Sequence, residues 1–366
     1  MTESVYINLW KKFNEGPQTA PADAEGNPQP SFINHLQLCY TPEEADLLQH
    51  LDRPGRFLST QEVAERAGKP PEEVETILSS VNKKNGVLGM PGVYSLPPMP
   101  ILFNIHQFYP EVKSDDLKAA QLYQDYFIKD SFYRYYEGSM KGTPVFRTIP
   151  VDVVIEAEQR VLPAEEAHDF ILNHAPEELA LVPCPCRTRT EKMGIRECKD
   201  KNPVASCIMM GPAALHFEML DLGKRVTRRE AVAYFDEMQE LGLVGQTDNC
   251  LTGNSIICLC CGCCCSQLRG RTRWGNMSAI LPSNFIPVAG EDCIQCELCT
   301  ERCPFGALAM DEETERPVVT PDKCIGCGVC ALTCPQDTLK LVRLERSTPF
   351  NTGKEMIKTI ALENRE

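Results

Sequence analysis

The chain carries 20 cysteines, and their placement is the first feature that could do chemistry. Only Cys39 lies before position 184; the other nineteen fall between 184 and 334. A disulfide framework would spread its cysteines over the whole chain. Thiols crowded into one part of a chain from a reducing compartment read as metal ligands. The densest stretch, IICLCCGCCCSQLRG (256–270), holds Cys258, Cys260, Cys261, Cys263, Cys264 and Cys265.

The clearest signal lies further on and is written twice. Cys293-x2-Cys296-x2-Cys299-x3-Cys303-Pro304 is followed by Cys324-x2-Cys327-x2-Cys330-x3-Cys334-Pro335. Three thiolates two residues apart wrap one corner of a cubane, and the fourth leaves on the next helix to reach the other cubane. This assigns Cys293, Cys296, Cys299 and Cys334 to one [4Fe–4S] cluster and Cys324, Cys327, Cys330 and Cys303 to a second. Gly326 and Gly328 let backbone N–H groups approach the sulfurs. Zinc sites do not show this three-plus-one run twice.

Eleven further cysteines lie between 184 and 265. Cys184, Cys186, Cys198 and Cys207 form a first group, enough for one cluster or one tetrahedral zinc. The dense stretch and Cys250 form a second. Adjacent residues of an extended chain point to opposite sides. The segment therefore either runs between two clusters, giving alternate thiolates to each, or encloses one unusual cluster with spare thiols beside it. One or two additional iron–sulfur clusters are expected here, with zinc as the alternative occupant. Arg187, Arg189, Arg269, Arg271 and Arg273 follow the cysteine groups and would balance thiolate charge or hold an anion.

Residues 287–343 resemble the two-cluster bacterial ferredoxins. The order ALVPCPCR, TRREAVAYFDEMQELGLV, IICLCCGCCC and then two ferredoxin runs is similar to a broad family of anaerobe 4Fe–4S binding proteins over roughly residues 160–343. That resemblance implies cytoplasmic electron transfer in anaerobic metabolism and no particular substrate. Cys260-Cys261-Gly262 resembles the cysteine-rich motif of heterodisulfide reductase catalytic subunits, whose non-cubane clusters cleave disulfides. The upstream cysteine of that motif has no counterpart here.

The elements that must position these residues give an α+β chain. Residues 1–31 read as an arm or linker. Residues 32–110 read as a winged-helix-like helical docking domain, with caps at Thr41–Glu44 and Ser59–Glu62, a third helix after Pro70-Pro71 and a hairpin in GVLGMPGVYSL. The start of that third helix carries Glu72, Glu73 and Glu75, which phosphates would repel. Residues 111–286 read as a mainly helical, cysteine-rich iron–sulfur domain. It opens with a long aromatic helix over 112–137, either packing between domains or facing a partner. A helix from Pro163-Ala164-Glu165-Glu166 to about His174 follows, then a strand ending at Cys184 and a helix capped by Thr227. The dicluster domain (287–343) and a polar tail (344–366) complete the chain.

A formal charge of −14 disfavours nucleic acid and acidic membranes as partners. No apolar run reaches the roughly 20 residues of a membrane span. The absence of a signal-type N-terminus points to the cytoplasm. No phosphate-binding glycine loop and no haem-attachment motif occurs. His168 and His174 are not one helical turn apart and are not expected to share a metal. The expected function is an electron-transfer subunit relaying low-potential electrons between a soluble donor and a catalytic oxidoreductase partner, in a hetero-oligomer. Two other readings stand beside it: a reductase with an unusual cluster at 256–265, and a redox-sensing regulator.

Overall fold

A computed structural model describes residues 2–20, 22–23, 25–109, 111, 115–155 and 167–365. Thr41, Ser59 and Thr227 each accept a backbone N–H three residues on, and the Glu at that third position returns its carboxylate to the cap's own N–H. These reciprocal bonds satisfy donors that a helix start leaves open, worth about 1 kcal/mol each. They begin the helices Pro42–Leu48, Thr60–Ala67 and Arg228–Glu240. The cap expected at Pro163–Glu166 lies outside the described residues; its helix is seen from Ala167.

The N-terminal region alternates helix Pro42–Leu48, β1 (Leu58–Ser59), helices Thr60–Ala67 and Pro71–Lys83, and the hairpin β2 (Leu88–Met90) and β3 (Val93–Ser95). Its three-stranded sheet has the order β1-β3-β2. Glu72 and Glu73 stand exposed at the start of Pro71–Lys83. Glu75 differs from the expectation. It turns inward and accepts from Thr60 Oγ1 at 2.5 Å, Tyr94 Oη at 2.6 Å and the Gly92 N–H at 3.2 Å, tying the helix to the hairpin.

Residues 1–31 are more than an arm. They open with helix Thr2–Asn14, whose Leu9 and Phe13 are fully buried. The aromatic segment is not one helix either. It runs as Asp116–Gln124, a π turn Asp125–Lys129, and Tyr133–Glu137, broken near Ser131 at φ 59°. The break folds Tyr123, Tyr126, Phe127 and Phe132 into one core with Phe32 and Phe103, and Phe127 also meets Trp274 at 5.4 Å. All four are wholly buried, so this face joins parts of the chain to one another.

The middle region holds many helices, but its frame is a sheet that the sequence betrayed at one strand only. The strands are β4 (Phe146–Ile149), β5 (Leu179–Pro183), β6 (Ser206–Met210), β7 (Lys224–Arg225), β8 (Val244–Asp248) and, after a short β9 (Cys250–Thr252), β10 (Ile256–Cys260). Their order is β4-β8-β10-β6-β5-β7, antiparallel throughout. Next come β11 (Phe285–Ala289), β12 (Leu308–Met310), β13 (Pro317–Val319) and β14 (Leu339–Arg343), paired β11-β14 and β12-β13. The C-terminus is not a free tail. β15 (Phe350–Thr352) pairs in parallel with β9, and helix Gly353–Glu363 buries Met356 and Ile360. Asn364 Nδ2 then donates to the Pro17 carbonyl at 3.2 Å, closing the chain ends together.

Candidate metal centre

Pleat and register sort the crowded cysteines. Along β10, Cys258 and Cys260 share one face of the strand. The register that pairs Ile257 with Ile208 carries Cys258 opposite Cys207 on β6, and Val182 of β5 pairs with Cys207 on its other side. Cys184 follows the end of β5, Cys186 sits in the first turn of helix Pro185–Lys192, and Cys265 returns in the turn after β10. The outcome is a closed ring of six thiols. Cys184 has Cys186 and Cys207 as neighbours, Cys258 has Cys207 and Cys260, and Cys265 has Cys186 and Cys260.

Four of the remaining five thiols of the region gather on the other side of the turn. Cys198, Cys261, Cys263 and Cys264 have all their sulfurs within 4.8 Å of one another. Cys198 lies 3.7 Å from Cys261 and from Cys264, and Cys263 lies 3.5 Å from Cys264. Thr190 Oγ1 donates to Cys264 Sγ at 3.2 Å. The expected first group is thereby corrected. Cys198 leaves Cys184, Cys186 and Cys207 for the tetrad, because pairing across the sheet draws those three to Cys258, Cys260 and Cys265. The dense stretch divides between two thiol groups without strict alternation: Cys258, Cys260 and Cys265 go to the ring, Cys261, Cys263 and Cys264 to the tetrad, and the adjacent Cys263 and Cys264 share a group because the chain turns there instead of staying extended. Cys250 is buried beside Gly353 and belongs to neither group.

The two sites differ in size. Zinc–sulfur bonds of about 2.3 Å at tetrahedral angles set sulfurs about 3.8 Å apart, close to the tetrad's spacing. Among the described residues no other group closes so tightly. The ring stays open around a space, as polynuclear clusters require.

Charge follows the same geometry. Around the ring, Cys186 and Cys207 are held well below the ordinary thiol value because each accepts from two neighbours, and Cys260 falls to about 6 for the same reason. Cys184 and Cys258 rise as the donors, and Cys265 rises chiefly through burial. Arg187, 1 % exposed, lies between the two sites. Burial works against its charge, but Cys184, Cys260, Cys261 and Cys207 outweigh burial and hold its pKa up. It donates to the Leu259 carbonyl at 2.8 Å and the Val204 carbonyl at 2.5 Å. Arg189 stacks on Tyr123 with 3.7 Å to the ring centre and reaches Ser266 Oγ at 3.4 Å, which itself meets Cys186 Sγ at 3.4 Å. Arg269 lies over Trp274 at 4.9 Å. Arg273 is elsewhere, paired with Glu197 at the surface at 2.6 Å. His168 and His174 each face a carboxylate, Asp236 at 2.7 Å and Asp169 at 2.9 Å.

The doubled run builds two pockets. Cys293, Cys296, Cys299 and Cys334 line one. Cys303, Cys324, Cys327 and Cys330 line the other. Each pocket thus draws three thiols from one run and one from its copy. The Gly326 N–H donates to Cys324 Sγ at 3.3 Å. Gly326 stands at φ 67°, where a Cβ would come within 2.3 Å of the Phe285 carbonyl, so no side chain fits there. Residues 292–338 match the family described as 4Fe-4S dicluster domain. The C-terminal segment is a ferredoxin-type 4Fe–4S domain. No curated protein and no solved structure matches the chain.

The residues of the dicluster domain fit the clusters its family carries, since eight thiols converge in two fours with backbone donors beside them. Two cations near it differ in how visible they were. Arg271, named from the sequence, donates to the Asp322 carbonyl at 2.6 Å and feels Cys324. Arg346 was missed, being read as part of the tail. It donates to the Cys324 carbonyl at 2.8 Å, and burial lowers its pKa against the pull of Cys324. Ser266 was missed as well, since one serine after six cysteines carries no pattern of its own.

Proposed function

We propose that this chain is a multi-centre electron-transfer protein in which the dicluster domain receives electrons from a soluble redox partner and the six-thiol ring delivers them to a catalytic subunit. The coarse reading, iron–sulfur electron transfer, follows from the dicluster domain and the cysteine cluster. One observation carries the rest: the thiol groups stand in a row. Cys299 of the first quartet is near enough to Cys330 of the second to raise its pKa. Cys327 and Cys330 share an apolar core with Cys260 and Cys265 of the ring. Gly262, at the turn between ring and tetrad, lies against Pro304, next to Cys303.

The row has an outer and an inner end. Cys296 is exposed, with Ile294 56 % and Leu298 44 % exposed beside it, whereas Cys324, Cys327 and Cys330 are buried. A donor docked at Ile294 and Leu298 would reduce the first cluster, and the second would pass the electron inward. Iron–sulfur clusters supply this single-electron carriage, at potentials set by hydrogen bonds, charge and burial. Cys184, Cys186, Cys207, Cys258, Cys260 and Cys265 would hold the inner cluster, with Arg187 and Arg189 balancing its charge. Cys198, Cys261, Cys263 and Cys264 would hold one tetrahedral ion, zinc in the simplest case, pinning the loop after Pro185–Lys192 to the turn after β10.

The winged-helix-like region would dock a protein partner. Exposed Glu72 and Glu73 at its third helix disfavour phosphate, which weighs against the regulator reading. The cytoplasm of an anaerobe is the setting that the sequence resemblance implies. A second reading, reduction of a substrate at the 256–265 loop, is favoured by the cavity on which the ring opens.

Iron, acid-labile sulfide and zinc per chain, with EPR of the reduced protein, test this on anaerobically purified material. The expected result is about 12 Fe or more with about one zinc. About 8 Fe, the dicluster domain alone, removes the ring from the relay. About 16 Fe without zinc places a cluster in the tetrad as well.

A further inference from the structure

Resting on the reading that the ring holds an iron–sulfur centre, we propose that the cavity above it binds a small, uncharged, largely apolar molecule. All six ring cysteines line this cavity, and none of the tetrad's does. Its volume is about 310 Å³, against about 20 and 10 Å³ by the same measure in the two four-cysteine pockets. A cluster on the ring therefore leaves space that the dicluster pockets do not have. Ligand cavities commonly start at roughly 300 Å³. An apolar cavity of about 150 Å³ takes benzene, so the space left beside a cluster on the ring admits a one- or two-ring molecule.

The walls define the ligand's chemistry. Away from the sulfurs they are Ile101, Phe108, Met209, Phe217, Met356 and Ile360, drawn from the N-terminal region, the central sheet and its helix, and the C-terminal helix. Among the described lining residues the only charged one is Asp248, whose carboxylate already accepts the Ser255 N–H at 2.6 Å and the Ser255 hydroxyl at 3.0 Å. No cation stands among the described lining residues to pair an anion. Gln246 and Gln267 also line the cavity, 1 % and 2 % exposed. The Gln246 amide N–H donates to Cys265 Sγ at 3.5 Å, and that of Gln267 to the Glu137 carbonyl at 2.9 Å. These bonds fix both amides, and their Oε1 atoms are buried away from the open space, so the walls offer a ligand little polar surface.

The test uses the full-length, cluster-loaded chain under anaerobic conditions with indole as the probe: uncharged, two-ring, largely apolar. Calorimetry should show saturable binding of one equivalent. In EPR the signal of the ring centre should shift while the dicluster signals stay in place. Indole-3-acetate, the same ring with a carboxylate, should bind at least tenfold more weakly. Ala213→Trp fills the cavity from its helix, and Ile357→Trp does so from the half-exposed side of the C-terminal helix. Each should lower indole affinity at least tenfold while iron content and dicluster signals match the parent, which shows that the fold is kept. Full iron with no indole binding, or binding unchanged in both variants, overturns the site and leaves the ring centre standing. About 8 Fe with indole still bound overturns the ring centre and leaves the site.

Discussion

Glu137 is 1 % exposed, and burial holds its pKa up at about 8 against the pull of Asn276 and Arg269. Its Oε2 accepts from Asn276 Nδ2 at 2.5 Å, and a Cβ on Gly270 would sit 2.2 Å from its Oε1. The folded state therefore keeps a proton here that the unfolded chain gives up near pH 4.5. Stability is fully present below that value and falls as pH rises toward 8. Glu137→Gln keeps a neutral head and removes the fall. At pH 7 the variant should gain up to about 3 kcal/mol, at about 1.4 kcal/mol per pH unit of the window, and at pH 4.5 it should match the parent. Denaturant unfolding at both pH values checks this; parallel curves would mean that Glu137 is ionised in the fold. Arg187 is the matching test on the ring. Arg187→Met keeps the bulk and removes the charge beside four thiols. The expected outcome is loss of the ring's iron with about 8 Fe retained by the dicluster domain, and unchanged iron would make Arg187 a strut between Val204 and Leu259. The grouping of the eight dicluster cysteines into two fours was legible because a local run sets its own spacing. The partition of the ten ring and tetrad thiols was not, because it depends on which strands pair, and Cys207 meets Cys258 only through register.

The elements with local signals were equally legible. Three capping boxes and Gly68 in the left-handed conformation at φ 65° mark helix ends where the sequence places them. The six-stranded sheet was not, since its strands span two to five residues each and carry too little alternation to be read. The C-terminal helix looked polar because only one stripe of it, with Met356 and Ile360, meets the body. That stripe makes a strong claim on stability. Ile360→Asp would put an unpaired carboxylate at a position 2 % exposed and should cost about 3 kcal/mol or more, seen as a lower unfolding midpoint. Lys358→Asp, exposed on the same helix, should shift the midpoint by no more than about 0.5 kcal/mol. In the N-terminal region, Glu75→Ala removes the acceptor shared by Thr60, Tyr94 and Gly92. A loss of about 1–3 kcal/mol is expected, since buried donors are left open. A neutral result would mean that the hairpin stands without the tie.

At the scale of the whole molecule, the proposed relay would take its direction from charge and burial. Residues 287–343 hold ten acidic and five basic side chains, and the chain as a whole stands at −14. The outer quartet lies at the surface of this acidic segment, and the inner quartet and the ring lie behind it in the shared core. A donor that reduces the outer cluster by contact must therefore approach through a negative field, which speeds cationic partners and slows anionic ones in proportion to the ionic strength left unscreened. Two viologens of similar potential, one cationic and one carrying sulfonates, separate this from simple collision. Reduction by the cationic dye should slow as salt rises from about 0.01 to 1 M, while the Debye length shrinks from about 30 to 3 Å; reduction by the anionic dye should speed up over the same range. In both cases the dicluster EPR signals should appear before that of the ring, because the proposed relay reaches the ring through the inner quartet. If the ring signal appears first, or neither dye responds to salt, electrons enter through the cavity side, and the acidic dicluster face is an exit toward a partner.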